Sequence, residues 1–471
     1  MKRIIGILLT CLAILSLAAC AGGSKPDNTA APEVTASAVP SNVAQATYLH
    51  ETEAASAPFI AQEPERQAFD PETDADNRYS CANITMIEAD GGFYYSSASC
   101  YYLMYYDESL GELIPVCSKP ECEHFKNSID NQNRSCDAYL EASRHPSLYN
   151  GKLYYVCSPE GKLNPNTNGT RGGGALYRMD PDGTNKEFVK DAFAPGFDSP
   201  QWIMIHRGMI YAYSIESEVL NGEPINKIKI LGLPIDGDET TFRVLYEYDG
   251  EAWGGMRFVG DRCYFWLGYS EGEYMEDEDG FVITDHLIPG AVIGYWDAVE
   301  EKLTILLDEH FPQGEIGYFD GGVWVTPDER IIVTVPNGLA ELKNGELVEI
   351  VSYAEPDHEY YPVLSDGIVI LREIKDRRYD PNDDPIWWVL DFEGTTIYKG
   401  PLPMDWDDAP DDYSGYAFNY IGGDKTGLYV DFCHYNYEGE AVKQRFSLVR
   451  YDIADGTLVP NKLSSLYATW Y

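Results

Sequence analysis

Four residues between positions 117 and 136 have the types and the spacing of a metal site. They occur as Cys117-Ser-Lys-Pro-Glu-Cys122-Glu-His124, followed by Cys136. Three thiolates and one imidazole can hold zinc in a closed tetrahedral site, and sulfur and nitrogen ligands suit that ion. The chain has ten cysteines, so in an exported protein the same thiols could instead form disulfide bonds. The sequence therefore leaves a structural zinc site and a disulfide network as alternatives.

Two other patterns could carry hydrolytic chemistry. Gly268-Tyr-Ser270-Glu-Gly272 matches Gly-x-Ser-x-Gly, but that motif needs a turn from a strand into a helix, and an acidic loop follows here. A glycosidase needs a pair of carboxylates, and calcium needs several oxygen ligands. Acidic residues that could serve either purpose are abundant: Asp376, Asp380, Asp383, Asp384, Asp405, Asp407, Asp408, Asp411 and Asp412. No pair stands out, so calcium is less favoured than zinc and hydrolysis is kept as the alternative function.

Aromatic residues near the same acidic segments are candidates for contacting a ligand. Trp387, Trp388, Trp406 and Tyr413 could stack on sugar rings in loops at the edge of the fold. Burial of alternate side chains along β-strands explains such residues equally well.

A repeated pair of hairpins must position these groups. A short apolar strand, a turn that usually contains Gly, and a strand rich in Tyr, Val or Ile recur seven times, which predicts a first hairpin in each repeat. The second strands of these hairpins are centred on Phe93, Leu153, Met209, Cys263, Val323, Ile368 and Leu428. A second hairpin follows each first one, often with an Asp-Gly turn such as Asp182-Gly183 or Asp455-Gly456.

Two hairpins per repeat give four strands, and a repeat of this length with four strands is typical of a propeller blade. The sequence thus predicts an all-β protein with one β-propeller over residues 80–471. Seven blades are favoured over six or eight. A pair of β-sandwiches or a β-solenoid fits less well, because neither requires seven equivalent four-stranded units.

The start of the chain predicts export. Lys2 and Arg3 precede an apolar run from Ile4 to Leu17, which is typical of a secretory signal peptide and too short to span a bilayer. The following Leu-Ala-Ala-Cys20 resembles the lipobox of bacterial lipoproteins, which implies a signal peptide at 1–19 and lipidation of Cys20. Residues 20–79 then form the lipidated cysteine and a disordered linker, since few large apolar groups are available for burial.

The repeats resemble those of bacterial lipoproteins whose propeller is related to the TolB and low-density-lipoprotein-receptor types. The matching residues are Gly151-Lys-Leu-Tyr-Tyr155 and the hairpin from Leu176-Tyr177 to Asp182-Gly183. A Cys-x-Lys-Pro-x-Cys-x-His stretch like the one at 117–124 occurs early in the same group. The resemblance implies a fold and a location on the extracytoplasmic face of the cell membrane, and it implies no activity.

Charge narrows the choice of partners. The formal net charge is −43, so the protein repels nucleic acid and anionic lipid headgroups. Membrane attachment is then expected through lipid on Cys20 rather than through a basic surface. Because no catalytic constellation is singled out, the sequence favours a monomeric binding module for a protein or glycan over an enzyme. The alternative is an extracytoplasmic, carbohydrate-active hydrolase that uses carboxylates on the rim.

Overall fold

The computed structural model describes residues in one compact unit, Gln67–Tyr471. The described residues are 69–78, 80–81, 84–97, 100–124, 135–140, 146–157, 175–191, 202–220, 223–239, 241–250, 252–276, 282–311, 319, 322–355, 358–373, 385–407, 415–438 and 441–470. The predicted signal peptide, Cys20 and most of the predicted linker lie outside them.

The described strands form seven antiparallel sheets, blades 1 to 7, each from one contiguous stretch of chain. Blade 1 contains β1 (Ser80–Cys81), β2 (Ile84–Ala89), β3 (Gly92–Ser97), β4 (Cys100–Asp107) and β5 (Glu112–Pro115). Blade 2 contains β6 (Ser147–Tyr149), β7 (Lys152–Cys157), β8 (Ala175–Met179) and β9 (Glu187–Asp191). Blade 3 contains β10 (Trp202–His206), β11 (Met209–Leu220), β12 (Glu223–Pro234) and β13 (Arg243–Asp249).

The remaining four blades follow the same order. Blade 4 contains β14 (Ala252–Val259), β15 (Arg262–Glu276), β16 (Val282–Asp297) and β17 (Lys302–His310). Blade 5 contains β18 (Val323–Val325), β19 (Ile331–Val335), β20 (Gly338–Lys343) and β21 (Glu346–Ser352). Blade 6 contains β22 (Tyr360–Ser365), β23 (Ile368–Glu373), β24 (Ile386–Asp391) and β25 (Thr396–Pro401), and blade 7 contains β26 (Gly415–Asp424), β27 (Gly427–Glu438), β28 (Ala441–Ala454) and β29 (Thr457–Trp470).

The blades are arranged in a ring, which confirms the predicted seven-bladed β-propeller. First strands of neighbouring blades contact one another, including β6 with β10, β14 with β18, β18 with β22 and β22 with β26. The ring closes where β26 meets β2. The short β1 pairs with the inner side of β2 and therefore lies toward the central channel. The described residues contain no helix, and so no helical segment among them could cross a membrane.

Tight turns set the register of the hairpins. The turn between β6 and β7 consists of Asn150 and Gly151, with φ values of 47° and 67°. Two successive residues at positive φ match the right-handed twist of the flanking strands, and Asn and Gly tolerate this conformation. The pairing of Tyr149 with Lys152 follows from this turn.

The core lies between blades rather than within them. Each cluster of buried side chains combines facing strands, as when Trp266 and Ile293 of blade 4 pack with Val333 of blade 5. The same kind of packing closes the ring, since Phe93 of blade 1 meets Tyr429 of blade 7 at 5.9 Å between ring centroids. Because no described strand is shared between these two blades, side-chain packing must hold them together.

Blade 5 differs from the predicted register. Val323 was expected in the second strand of the first hairpin, after the Gly-Gly turn at 321–322. It lies instead in the first strand, β18, which pairs with β19 through Val323 and Val333. The actual turn spans 326–330 and is stabilised by a hydrogen bond from the backbone N–H of Arg330 to the hydroxyl of Thr326, at 3.0 Å. The turn at 326–330 contains no Gly, so the sequence carries no local turn signal there, whereas the neighbouring Gly pair at 321–322 does.

Residues 69–78, which the sequence placed at the end of the linker, pack across the turns that join the first and second strands of the blades. We call this segment the strap. The backbone carbonyl of Glu72 accepts a hydrogen bond from Asn150 of blade 2, and that of Thr73 accepts one from Arg207 of blade 3, each at 2.8 Å. Both contacts use backbone atoms, so they fix the path of the strap.

The strap continues to further blades. The Asn77 amide donates to the carbonyl of Phe258 in blade 4 at 2.7 Å and accepts from its N–H at 3.0 Å. The carbonyl of Arg78 accepts a hydrogen bond from Ser365 of blade 6 at 3.4 Å. Four blades beyond the first therefore hold the strap.

Buried charge fixes the middle of the strap. Asp74 receives two hydrogen bonds from the Arg207 guanidinium, at 2.7 and 2.9 Å. The same guanidinium donates to Asp261 of blade 4 at 2.9 Å. Burial acts to raise the pKa of Asp74, but the hydrogen bonds from Arg207 and the Asp70 backbone outweigh it and hold the pKa below its usual value. The carboxylate is thus ionised and paired, as a buried charge must be.

The neutral imidazole of His206 also holds the strap. Its Nδ1 accepts a hydrogen bond from the backbone N–H of Ala75 at 3.0 Å, and its Nε2 donates to the carbonyl of Gly260 at 2.7 Å. Burial lowers the pKa of this imidazole below 6.5.

Acidification is expected to release the strap. The folded state resists protonation of His206, whereas the unfolded chain protonates near pH 6.5, so the free energy of unfolding falls as the pH drops below that value. Protonation of Asp74 removes further stability below about pH 3.8. The positive charge of Arg207 opposes protonation of His206, while the negative charges of Asp74 and Asp261 favour it. Limited proteolysis of the strap as a function of pH measures the effect.

A His206→Gln variant is the control, because glutamine can accept and donate hydrogen bonds without titrating. Its strap should be cleaved at a rate that does not change between about pH 6.5 and pH 5. Equal acid sensitivity in the parent and in this variant would contradict the assignment to His206.

Candidate metal centre

The edge strand of blade 1, β5, is short, and the candidate metal ligands lie in the chain that follows it. After β5, Val116 donates its N–H to the carbonyl of Leu103 in β4 at 3.0 Å, and the chain then leaves the sheet. It returns at 136–140, where the carbonyl of Ala138 accepts a hydrogen bond from the N–H of Leu103 at 2.8 Å. Tyr139 in this segment forms an antiparallel β-bridge with Tyr102. The returning segment thus occupies the edge position that β5 vacates.

The structure brings all four predicted ligands together. The Sγ atoms of Cys117, Cys122 and Cys136 and a ring nitrogen of His124 all lie within 4.8 Å of one another. His124 Nδ1 is 3.4 Å from Cys136 Sγ. Zinc bound at about 2.3 Å from sulfur would place two sulfurs about 3.8 Å apart in a tetrahedron, so small shifts suffice. None of the three cysteines is in a disulfide bond, and the group could hold a metal ion.

Backbone amides are directed at the sulfurs. Burial acts to raise the pKa of Cys117, but hydrogen bonds from the backbone N–H groups of Lys119 and Asp137 outweigh it and lower the pKa. Burial raises the pKa of Cys136 to about 12, against an opposing hydrogen bond from the N–H of Ala138. Amides that donate to ligand sulfurs orient them and stabilise their charge when a metal is bound.

A lysine spans the open end of the loop. The Nζ of Lys119 donates to the carbonyl of Ser135 and to the carboxylate of Asp137, each at 2.8 Å. The hydrogen bond to Asp137 raises the pKa of Lys119. A divalent ion with three thiolates and one neutral imidazole would carry one negative charge, and this ammonium lies where it would offset that charge.

The surroundings favour a structural centre. Cys136 is buried, while Cys117, Cys122 and His124 are half-buried. The three cysteines pack against the core cluster that joins blade 1 to blade 2 and blade 7. Four protein ligands fill a tetrahedral shell and leave no position for a substrate.

Blade 2 packs directly on the loop of the centre. Gly183, in the turn between β8 and β9, has φ of +85°, and a Cβ there would approach the carbonyl oxygen of Val116 to 2.3 Å and the Cβ of Asp137 to 3.3 Å. Glycine is required for both the conformation and the close approach.

A Gly183→Ala variant should be destabilised by both effects. Gly237 is a matched control, because it follows Asp236 in the corresponding turn of blade 3, has φ of +97°, and a methyl group added there would meet nothing within 4 Å. Gly237→Ala should cost about 1 kcal/mol from backbone strain alone, and Gly183→Ala at least about 1 kcal/mol more. Urea unfolding measures the difference, and equal losses would contradict the packing of the turn on the loop.

The other cysteines do not extend the centre among the described residues. The side chains of Cys81, Cys100 and Cys157 lie outside those that the structure describes. Cys263 and Cys433 are free thiols in blades 4 and 7. Burial raises the pKa of both, to about 12 for Cys433, which is typical of inert core thiols.

The aromatic candidates have different positions. Trp387 is only 1% exposed and packs on Phe418 of blade 7. It is therefore a core residue and not a ligand contact, because β24 faces blade 7 at this position. Trp388 is half-buried beneath Lys399, whose Nζ is 3.8 Å from its ring centroid. Trp406 donates a hydrogen bond to the Tyr451 hydroxyl at 2.9 Å. Tyr413 lies outside the described residues.

The hydrolytic patterns gain no support from the described residues. Ser270 lies within β15 and is paired with Pro289 of β16, so the Gly-x-Ser-x-Gly stretch is a strand and not the strand-to-helix turn that a nucleophile needs. Asp407 accepts a hydrogen bond from the buried His434 at 2.9 Å. Asp376, Asp380, Asp383, Asp384, Asp408, Asp411 and Asp412 lie outside the described residues.

Sequence reasoning missed the contacts of the strap. Asp74 and Arg207 are far apart in the chain and belong to no motif, so only the folded ring brings them together. The one signal in the sequence is that the Asp-Asn-Arg stretch near 74–78 is less rich in Ala, Ser and Thr than the segment before it.

Comparisons with known proteins extend to the fold alone. No protein-family model matches the chain, and no curated protein sequence matches it. The propeller domain of the Trilobed protease from Pyrococcus furiosus is 11% identical, with a TM-score of 0.37 over 84% of this chain and 97% of that one. TolB from Acinetobacter baumannii is 14% identical, with a TM-score of 0.28 over 82% of each chain.

A Pyrococcus horikoshii acylaminoacyl peptidase is 9% identical, with a TM-score of 0.38. The similarity covers 84% of this chain and 54% of that one, so this chain spans about half the length of the peptidase. Likeness at these identities carries no inference about activity. The seven sheets and the contacts between them make the chain a seven-bladed β-propeller, and TolB is among the solved structures that it resembles.

Proposed function

We propose that the mature protein is a lipoprotein on the extracytoplasmic face of the cell membrane, and that its propeller is a binding module. The order of the chain carries this proposal: an export signal that ends at Leu-Ala-Ala-Cys20 precedes a polar segment, and the compact propeller unit begins at Gln67. Lipid on Cys20 provides the attachment, since the acidic protein has little attraction to anionic headgroups. The bound partner is a protein or a glycan.

The centre formed by Cys117, Cys122, His124 and Cys136 holds zinc in this proposal. Three sulfurs and one imidazole within 4.8 Å of one another form the ligand set that zinc prefers. The ion ties the point where the chain leaves blade 1 to the point where it returns. Its role is structural, because it secures the edge of the blade at which the ring also closes.

Fractionation of cells tests the anchor. Full-length protein is expected in the membrane fraction, with a diacylglyceryl or acyl mass on the N-terminal peptide. A Cys20→Ala variant is expected to lose that mass and to leave the membrane fraction. Membrane retention of the variant equal to that of the parent would refute lipid anchoring.

Metal analysis and thiol counting test the zinc site. The mature chain is expected to carry one zinc ion, with three thiols that become reactive only after chelation. Peptide mapping under non-reducing conditions supplies the opposing outcome, since a disulfide that involves Cys117, Cys122 or Cys136 would exclude the proposed set.

A further inference from the structure

A cleft separates blades 3 and 4 at the end of the propeller that carries the strap. Its volume is about 600 Å³, and its walls come from β11 to β13 and from the turns of blade 4. This volume is within the range of sites that bind small molecules. Arg207 and His206, which hold the strap, also line one wall.

The floor of the cleft is aromatic and buried. Tyr211 is 1% exposed, and Leu245 and Trp296 are also buried. The Tyr211 hydroxyl makes no hydrogen bond within the described part of the chain, although the residue lines the cleft. Burial raises the pKa of Tyr211, and the negative charges of Asp261 and Asp297 raise it further. The hydroxyl therefore keeps its proton. A molecule bound in the cleft can therefore accept a hydrogen bond from this hydroxyl.

The rim carries charges of both signs that can rearrange. The Arg243 guanidinium lies 4.6 Å above the centroid of the Trp296 ring. Its ion pair with Glu301 spans 3.6 Å, and both side chains are more than half exposed. An exposed ion pair of this kind is weak, so a ligand can displace it at little cost.

The mixture of groups selects a class of ligand. Donors come from Arg243 and Tyr211, and acceptors come from Glu239, Asp261 and Glu301. The three carboxylates disfavour an anion, the arginines disfavour a cation, and a purely apolar molecule would leave the Tyr211 hydroxyl unpaired. Hydroxyl groups both donate and accept, and the apolar face of a sugar ring packs on aromatic rings.

We propose that this cleft binds a neutral carbohydrate of about two rings, between the aromatic floor and the charged rim. The inference deepens the proposed binding role and rests on it, but it does not depend on the anchor at Cys20. The strap supports one wall of the site, because its Asp74, together with Asp261, holds Arg207 in place.

Calorimetry and tryptophan fluorescence of the full mature chain test the proposal. The probes are four neutral disaccharides, namely maltose, cellobiose, lactose and N,N′-diacetylchitobiose, with digalacturonate as the charged comparison. At least one neutral disaccharide is expected to bind in the millimolar range or tighter and to change tryptophan emission. Binding of none of the four, or of digalacturonate alone, would overturn the assignment of a neutral sugar.

Variants locate the site. Tyr211→Phe removes one hydroxyl and keeps the ring, so the fold should be preserved, and the affinity should fall about 3- to 10-fold. Trp296→Ala should abolish detectable binding. Trp253→Ala is the control, because Trp253 is exposed in blade 4 and does not line the cleft. If a sugar binds and neither Tyr211→Phe nor Trp296→Ala weakens it, the cleft is wrong while the binding role stands.

Discussion

Replacing Cys136 with serine is expected to weaken zinc binding by roughly 100-fold or more. Structural zinc sites with four protein ligands bind with about 10–16 kcal/mol, so each ligand accounts for roughly 3 kcal/mol. Cys136 is the buried member of the centre and lies 3.4 Å from His124. Its loss frees the segment that returns to the edge of β4. Competition with a chelator measures the affinity, and proteolysis between 117 and 136 reports the loosened loop.

Cys433→Ser is the control, since Cys433 is a free, half-buried thiol in blade 7 and is not part of the centre. This variant should keep one zinc ion with unchanged affinity. The hypothesis fails if Cys136→Ser retains zinc as tightly as the parent. It also fails if both serine variants lose zinc alike, because the effect would then come from general destabilisation.

Arg207→Ala is expected to destabilise the propeller by about 3–5 kcal/mol. The substitution leaves the Asp74 carboxylate, with a side chain only 4% exposed, without its cation. Removing one partner of a buried ion pair leaves an uncompensated charge, which is costly. The strap should detach first, because the ion pair between Asp74 and Arg207 is the buried charge contact that fixes its middle. Urea unfolding gives the free energy, and cleavage within 69–78 shows which segment is released.

Arg178→Ala provides the comparison. Arg178 pairs with Glu187 across blade 2, and both side chains are 40–50% exposed. Loss of such a surface pair should cost at most about 1 kcal/mol. If Arg207→Ala costs no more than Arg178→Ala, the buried pair does not hold the strap. An Asp74→Ala, Arg207→Ala double variant that is more stable than Arg207→Ala would support the charge as the cause.

Most of the propeller was predictable because its signals are local. Each first hairpin carries its own turn residues and alternating strands, so six of the seven expected second strands are where the sequence placed them. Blade 5 is the exception. Its turn is made by Thr326 and Arg330 rather than by Gly, and turn residues with ordinary side chains resemble any polar loop.

The residue types identify the candidate metal ligands, but they do not give the geometry of the group. Spacing alone left disulfides and a metal as alternatives, since a pair of cysteines can serve in either. The fold brings the three sulfurs together without a disulfide bond and adds His124 to them. It also places Lys119 across the loop. None of these distances follows from the order of residues.

The aromatic residues show the limit of composition. Trp387 and Trp388 are adjacent, yet one is in the core and the other lies under Lys399. Alternation along a strand predicts that neighbours face opposite sides, but it does not say which side meets the next blade. The sequence alone could not assign either residue to a ligand or to the core.

By itself, the sequence determined the repeated pair of hairpins, the identity of the four candidate ligands and the strong negative charge, and it favoured seven blades. These properties depend on residue type and on spacing within one hairpin or one loop. Only the tertiary structure decided that residues 69–78 cross the ring, that Arg207 meets Asp74, and that a cleft opens beside Tyr211 and Trp296. Those contacts join distant parts of the chain, because closing the ring brings residues of different blades together that no local pattern relates.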